Sequence, residues 1–123
     1  MKGTGAQDRD TEAILEIAVV PITDGRPSLD HSYATLIDPG RPVPRRPWIS
    51  SGLTTETLRD APSLPDITGE LTARLDGRMI TGHSIAVDWR LLRRNCPGIN
   101  PAGLLDTVRL ARAIKPAARG NSL

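Results

Sequence analysis

The sequence predicts an α/β domain, in which a β-sheet is flanked by helices. Two hydrophobic patterns support this fold class. Residues 14–22 form a nearly continuous, β-branched apolar run, whereas Leu64, Ile67, Leu71 and Leu75 recur at helical spacing. Eleven Gly and eleven Pro interrupt the 123-residue chain more often than a helical bundle would tolerate. The length suits one domain with its own core.

The first part of the chain is predicted to form two strands and a loop. The run over residues 14–22 is typical of a strand covered on both faces, and Thr23–Gly25 gives a hairpin turn signal. Residues 32–37 predict a second strand, which ends at Asp38–Gly40. Arg41–Pro47 is expected to be a loop, because each Pro lacks the N–H group that a central strand would donate.

Helices and strands alternate in the rest of the predicted chain, giving the order β-β-α-α-β-α-β-α. Ser63 and Asp66 have the spacing of a capping box before the clearest helix, and Gly77 is a suitable residue to end it. The predicted elements are a helix from Thr54 or Thr55 to Arg59, a helix over 63–77, a strand over 78–81, a helix over 88–94, a strand over 104–106 and a helix over 108–114.

Composition excludes several classes of protein. No apolar run reaches the roughly 18 residues that a membrane span needs, so no membrane partner is expected. Residues 1–10 lack the apolar stretch of a signal peptide. Cys96 is the only cysteine, which argues against a disulfide framework or a zinc site. A soluble, cytoplasmic protein is expected.

Charge is divided unequally along the chain. Residues 1–73 contain seven Lys or Arg against eleven Asp or Glu, whereas residues 74–123 contain nine against three. A basic half can bind a phosphate backbone and release its counterions. Arginine is also common on ordinary helix surfaces, so charge favours nucleic-acid contact without establishing it.

The segment from His83 to Asp88 is the most informative for chemistry. A predicted strand delivers His83 and Ser84 to a turn, and Asp88 follows at the start of the next helix. A carboxylate in that position can hold a hard cation such as Mg²⁺. The alternative is that Asp88 only caps the helix, where it would interact favourably with the helix dipole.

Five short segments together resemble the DEDDh 3′–5′ exonucleases, the family similar to the DNA polymerase III epsilon subunit and to ribonuclease T. Each segment is weakly specific alone, but all five occur in the family's order over roughly residues 12–116. They are Ile14–Ala18, resembling the second strand; Asp38–Pro39, the exit of the third strand; Gly52–Thr54 with Ala61–Pro62, a Gly-Ile-Thr and Ala-Pro signature; Gly82–Asp88, a His-Asn-x-x-x-Asp motif; and Leu105–Thr107 with Leu110–Arg112, a Leu-Asp-Thr and Leu-Ala-Arg stretch.

The resemblance implies an RNase H-like mixed sheet flanked by helices. It also implies two Mg²⁺ or Mn²⁺ ions, held by an Asp-x-Glu on the first strand and two further Asp, with a His as general base. By this resemblance Asp88 is a metal ligand. The residues expected around the substrate are Gly52, Leu53, Thr54, His83 and Ser84, with Asp106 as a structural residue near the site.

The sequence departs from the family pattern at both ends of the chain. Asp10 and Glu12 have the letters of the first metal motif and are alternative ligands, but their polar surroundings favour a solvated lead-in over residues 1–13. An exonuclease-like domain is predicted over residues 14–116 and a tail over 117–123. No final His-x-x-x-x-Asp follows. The first strand and last helix are therefore expected to be missing from a truncated or degenerate domain.

Two functions follow from these expectations. The first is metal-dependent 3′–5′ hydrolysis of phosphodiesters in nucleic acid, with enzymatic activity of this chain left open because most ligands are not placed. The second is a non-catalytic module of the same fold that binds nucleic acid or a replication protein. The expected partners are a DNA or RNA 3′ end and a polymerase or other replication protein. Self-association through an exposed sheet edge is also expected.

Overall fold

The computed structural model describes residues 1–5, 7 and 12–114 of the chain. The chain divides into two compact units, Met1–Arg74 and Leu75–Leu123. Strands and four helices among the described residues form a mixed α/β architecture. The predicted fold class is confirmed, and the architecture is consistent with an RNase H-like exonuclease fold. No helix within those described ranges is long and apolar enough to cross a membrane.

The elements follow the predicted order closely, with additional short strands near the N-terminus. In chain order they are β1 (Lys2–Gly3), β2 (Ile14–Val19), β3 (Ile22–Thr23), β4 (Arg26–Pro27), β5 (Tyr33–Leu36), α1 (Thr55–Leu58), α2 (Leu64–Leu75), β6 (Met79–Gly82), α3 (Ile85–Asn95), β7 (Gly103–Asp106) and α4 (Thr107–Ile114). A short 3₁₀ turn, Leu29–His31, precedes β5.

An antiparallel sheet with strand order β1-β2-β5 organises the first unit. Strand β2 lies in the middle, and its Val19 pairs with Tyr33 of β5. Ile14, Leu15 and Ile17 are buried. Ile14 and Leu15 point to opposite faces of the sheet, so both faces are covered at the start of β2. The prediction of a strand covered on both faces therefore holds for the start of β2, whereas Ala18 is exposed.

Strand β1 lies within the segment that was predicted to be a lead-in without a strand. Lys2 pairs with Glu16 and Gly3 pairs with Ile14. The Thr4 carbonyl accepts a hydrogen bond of 2.9 Å from the Trp48 indole N–H, which fixes the chain just after β1. A two-residue strand without an apolar side chain has no hydrophobic pattern. It is recognisable as a strand only from its pairing with β2.

The predicted strand over residues 14–22 is divided in two. Strand β2 ends at Val19. Val20 and Pro21 lie outside the strands, and β3 then pairs with β4 as a separate hairpin. Asp24 and Gly25 both adopt positive φ, 53° and 76°, as a tight two-residue hairpin turn requires. The predicted turn is therefore confirmed.

The core of the first unit is built from leucine and isoleucine. Leu15, Leu53 and Leu58 form a buried cluster, against which Val43 and Ile49 pack. The loop that supplies Leu53 is thus held by apolar contacts on one side and by α1 on the other.

The second unit contains a parallel pair of strands and the helices that follow them. In the register of β6 and β7, Met79 lies opposite Gly103 and Gly82 lies opposite Asp106. Helix α3 packs on both strands. Because the strands are parallel, their carboxyl ends meet at one edge, where Gly82 leads into α3 and Asp106 leads into α4.

Helix α3 begins three residues earlier than predicted. Ile85 is its first residue, and Ser84 is the N-cap, so Asp88 lies inside the helix and does not open it. A methyl group at Gly82 would lie 2.8 Å from the Ile85 Cδ1 atom. The glycine therefore allows the first turn of α3 to pack directly on the end of β6.

Candidate functional site

Polar residues gather at the carboxyl ends of β6 and β7. We call His83, Ser84, Asp88 and Asp106 the strand-end cluster. Asp106 ends β7, His83 and Ser84 form the turn after β6, and Asp88 lies in the first turn of α3. The carboxyl edge of parallel strands is a common location for ligand sites in α/β proteins.

Asp106 joins the two chain segments that leave the sheet. Its Oδ1 atom accepts hydrogen bonds from the Ser84 backbone N–H, at 3.1 Å, and from the Val108 backbone N–H, at 2.9 Å. The first bond fixes the turn before α3, and the second fixes the start of α4. Asp106 thus fixes the backbone at the carboxyl ends of the two strands, and its place beside a functional site stays a prediction.

The charge of Asp106 is stabilised by its surroundings. Burial is the largest single influence on the carboxyl group and raises its pKa. Backbone N–H donors from Val108, Ser84 and Arg109 act in the opposite direction, as does the charge of His83. Together these groups hold the pKa of Asp106 below its usual value. The side chain is therefore an anion suited to holding the turn in place.

Ser84 has a conformation that serine seldom adopts. Its backbone is left-handed, with φ 54° and ψ 49°, and its side chain makes no cap hydrogen bond to α3. The hydrogen bond from its N–H to Asp106 supports this conformation. Both His83 and Ser84 are exposed. The turn therefore presents two polar side chains to solvent on a backbone fixed from β7.

Asp88 lies on the side of α3 that packs on the sheet. It is three residues after Ile85 and four before Leu92, both of which are buried, so the three share one helix face. The Asp88 carboxylate is half-buried and makes no hydrogen bond or ion pair with any described residue. A half-buried carboxylate that makes no bond with the described residues is available to water or to a ligand.

The described residues supply few ligands for a cation. Within residues 1–5, 7 and 12–114, no group of three or more His, Cys, Asp or Glu side chains is placed to hold a metal ion. The unpartnered Asp88 carboxylate suits one ligand position of a hard divalent ion. One carboxylate does not make a site for two ions, so the described residues do not form the two-ion arrangement that the resemblance implied.

The other predicted substrate residues, Gly52, Leu53 and Thr54, lie in the first unit and have structural roles there. Leu53 is buried in the core cluster. The Thr54 hydroxyl accepts a hydrogen bond from the Thr57 backbone N–H, and the Thr57 hydroxyl accepts one from the Thr54 backbone N–H, which forms a capping box for α1. The Gly52 carbonyl accepts a 2.8 Å hydrogen bond from the Thr57 hydroxyl. Nucleotide contact by these three residues stays a prediction.

Comparison with known proteins now identifies the family. A family model described as exonuclease (RNase_T) matches residues 3–123, nearly the whole chain. The chain belongs to this exonuclease family. The predicted membership is confirmed, and exonucleases of this kind generally use divalent metal ions.

Relatives of this chain are named as DNA polymerase III proteins. It is 31% identical over 125 residues to a DNA polymerase III subunit epsilon-like protein of Rhodobacter capsulatus, covering 98% of this chain and 18% of that protein. It is 30% identical over 115 residues to a DNA polymerase III PolC-type protein of Thermotoga petrophila, covering 90% of this chain and 8% of that protein. The chain thus spans less than one fifth of either relative.

The first metal motif was assigned to Asp10 and Glu12, of which the structure describes only Glu12. Strand β1, which precedes β2 as the family's first strand does, carries Lys2 and Gly3. The Lys2 ammonium donates a 3.3 Å hydrogen bond to the Ser50 hydroxyl. Glu12 lies two residues before β2 and not on β1, and Asp10 lies outside the described residues. Their role as ligands stays a prediction.

One surface of the second unit was not predicted from the sequence. Six residues line an open groove: Ala86, Trp89, Arg90, Arg93, Arg94 and Leu104. Trp89 and Arg93 are one helical turn apart, as are Arg90 and Arg94. This i, i+4 pairing was a signal in the sequence, but it identifies a surface only when the boundaries of α3 are known.

Proposed function

We propose that this chain is a 3′–5′ exonuclease-type domain that binds the end of a nucleic-acid strand at the strand-end cluster. The observation that carries this proposal is Asp88, a half-buried carboxylate on the sheet-facing side of α3 with no partner among the described residues. Family membership and the names of the relatives support a nuclease-like function in DNA replication.

Each member of the strand-end cluster has a distinct role in this proposal. Asp88 holds one ligand position of a Mg²⁺ or Mn²⁺ ion, which would supply positive charge beside the scissile phosphate. His83 and Ser84 contact the terminal nucleotide from the exposed turn. Asp106 positions that turn through the Ser84 N–H. Hydrolysis requires further carboxylates, since Asp88 is the single carboxylate of the cluster that makes no bond with a described residue.

Metal binding tests the role of Asp88 directly. Mn²⁺ titrated into the full chain should bind, and Asp88→Asn should weaken the affinity at least about tenfold, because the amide lacks the charge that the ion needs. Asp30→Asn is the matched control, since Asp30 is an exposed carboxylate in the 3₁₀ turn of the first unit. Equal Mn²⁺ affinity in wild type and Asp88→Asn would refute the assignment.

Strand degradation tests the reaction. With Mn²⁺, a single strand labelled at its 5′ end should shorten in single-nucleotide steps, and Asp88→Asn should abolish the shortening. The same strand labelled at its 3′ end should lose its label in the first step. Loss of the label from the 5′ end, or unchanged shortening by the variant, would contradict a 3′–5′ polarity or an active role for Asp88.

The second candidate is a non-catalytic module that binds nucleic acid or a replication protein. Two observations favour it: Lys2 occupies β1, and Leu75–Leu123 contains eight Lys or Arg against three Asp or Glu. Such a module would hold a single strand in chelator, with an affinity that falls steeply as salt rises. Mn²⁺-independent binding without any shortening of the strand would select this function over the first.

A further inference from the structure

The groove on α3 is separate from the strand-end cluster. Ala86, Trp89, Arg90 and Arg93 repeat at intervals of three and four residues, so they form one face of α3. Asp88 belongs to a different face, together with buried residues. Leu104 of β7 closes the other side of the groove. The groove has a volume of about 410 Å³ and is open to solvent.

The chemistry of the groove combines positive charge with an apolar floor. Arg90, Arg93 and Arg94 line it, and none of its six lining residues is acidic. Trp89 is half-buried, and Leu104 is 40% exposed. A floor of this kind receives a flat apolar group, while guanidinium groups bind phosphate in a bidentate manner.

Helix stability alone does not account for this arrangement. Arg93 and Arg94 lie in the last turn of α3, where cations interact favourably with the helix dipole. That effect explains two basic residues at the helix end. It does not explain why a half-buried indole ring and the exposed Leu104 line the same groove, because both leave apolar surface open to water among the described residues.

We infer that this groove binds unpaired nucleotides of a single nucleic-acid strand, with a base stacked on Trp89 and the flanking phosphates on the arginines. Every base has a π-face, so the contact is tolerant of sequence. A duplex would not fit, since its bases are stacked on one another and unavailable to the indole. The inference rests on nucleic acid being the ligand of the domain, as proposed above, and adds a binding surface away from Asp88.

Fluorescence anisotropy of a labelled oligothymidylate tests the inference with the full chain in chelator, where no hydrolysis occurs. Trp89→Leu keeps an apolar floor but removes the stacking ring, so binding should weaken about tenfold. Trp89→Phe restores a ring and should recover most of the affinity. Equal binding by wild type and Trp89→Leu, with unchanged circular dichroism, would overturn the proposal.

Salt dependence tests the arginines separately. Between about 50 and 200 mM salt, Arg93→Gln should lower the slope of log affinity against log salt by about 0.7, the value for one phosphate contact with a single strand. Arg78→Gln is the matched control, because Arg78 is an exposed arginine just before β6 and does not line the groove. Equal changes of the slope in the two variants would show that binding depends on the overall positive charge and not on the groove, and would overturn the proposal.

Two further measurements separate this inference from its alternatives. A polyglutamate peptide that displaces the oligonucleotide at equal concentration of charge, with no effect of Trp89→Leu on either ligand, would show an acidic-peptide surface and overturn the inference. If Asp88→Asn leaves Mn²⁺ affinity unchanged while Trp89→Leu weakens oligonucleotide binding in chelator, the proposed metal site fails and the groove stands.

Discussion

Thr54 in the first unit and Asp88 in the second are both polar residues of sequence motifs near the start of a helix. Thr54 is bound to its own helix through a reciprocal capping box with Thr57. Asp88 makes no hydrogen bond or ion pair with the residues that the structure describes, although it lies on a buried helix face. The motif residue in the first unit is therefore used within its own helix. The motif residue in the second unit makes no bond with the described residues and is available to a ligand.

The two units also differ in charge. Met1–Arg74 contains eleven Asp or Glu against eight Lys or Arg, whereas Leu75–Leu123 contains three against eight. Polyanion binding is therefore expected in the second unit. The first unit carries the three-stranded sheet and the buried leucine cluster. This difference indicates that changes in the first unit should mainly affect stability and changes in the second should mainly affect binding.

The largest expected effect on stability is a cavity in the first unit. Leu15 is fully buried in the core cluster, so Leu15→Ala should lower the free energy of unfolding by about 2–5 kcal/mol. Leu29→Ala is the control, because Leu29 is 71% exposed and its truncation should cost less than about 0.5 kcal/mol. Urea titration measures both, and similar losses would show that the leucine cluster is not the core.

A close backbone approach gives the next largest effect. Gly5 has φ 103°, and a Cβ atom there would lie 2.7 Å from the Trp48 Nε1 atom. Gly5→Ala should cost about 1–3 kcal/mol from the backbone conformation, with the contact adding to it. Gly25→Ala isolates the conformational part, since Gly25 has φ 76° and no atom near its would-be Cβ. Equal costs in urea would contradict the contact with Trp48.

Local patterns predicted most of the fold. The helical repeat over α2, the hairpin turn at Asp24–Gly25 and the left-handed Gly77 at the end of α2 all agree with the structure. These features depend on neighbours within a few residues, which a sequence shows directly. Strand β1 was not predictable in this way, because its two polar residues are defined only by pairing with β2.

The candidate site was predicted in part for the same reason. His83, Ser84 and Asp88 stand close together in the sequence, whereas Asp106 was placed near them by the family resemblance. Parallel pairing of β6 and β7, which brings Gly82 opposite Asp106, is the tertiary contact that brings it there. The interpretation of Asp88 as a helix cap was wrong because Ile85 packs on Gly82 and extends α3 toward the strand. Such packing is a tertiary effect that overrides a local helix-start signal.

The pair Thr54→Ala and Asp88→Asn tests the central comparison. Thr54→Ala removes the N-cap of α1 and should lower the free energy of unfolding by about 1 kcal/mol, with no change in Mn²⁺ affinity. Asp88→Asn breaks no bond with the described residues and should alter stability by less than about 0.5 kcal/mol while weakening Mn²⁺ binding. Urea titration and Mn²⁺ titration of both variants distinguish the roles, and a destabilised Asp88→Asn would show that Asp88 is structural.

The smallest expected effect concerns the acid dependence of Asp106, the structural carboxylate of the strand-end cluster. Because its folded-state pKa is depressed, its ionisation stabilises the fold above its usual pKa of about 4, and that stabilisation is lost as the pH falls through the lower folded-state value. Asp106→Asn keeps an acceptor oxygen for Ser84 and Val108 but cannot ionise, so it should melt below wild type at neutral pH.

The two melting temperatures should converge as the pH is lowered below about 4, because the protonated carboxyl group of Asp106 and the amide that replaces it are then both neutral. Thermal unfolding of wild type and Asp106→Asn across this range measures the difference, which removes the contribution of the other carboxylates. Asp30→Asn, at an exposed position in the first unit, gives the baseline. If the difference in melting temperature grew toward acid instead, the pKa of Asp106 would be raised in the folded state and not lowered. The Ser84 and Val108 N–H groups would then not hold the turn before α3 through the charge of Asp106.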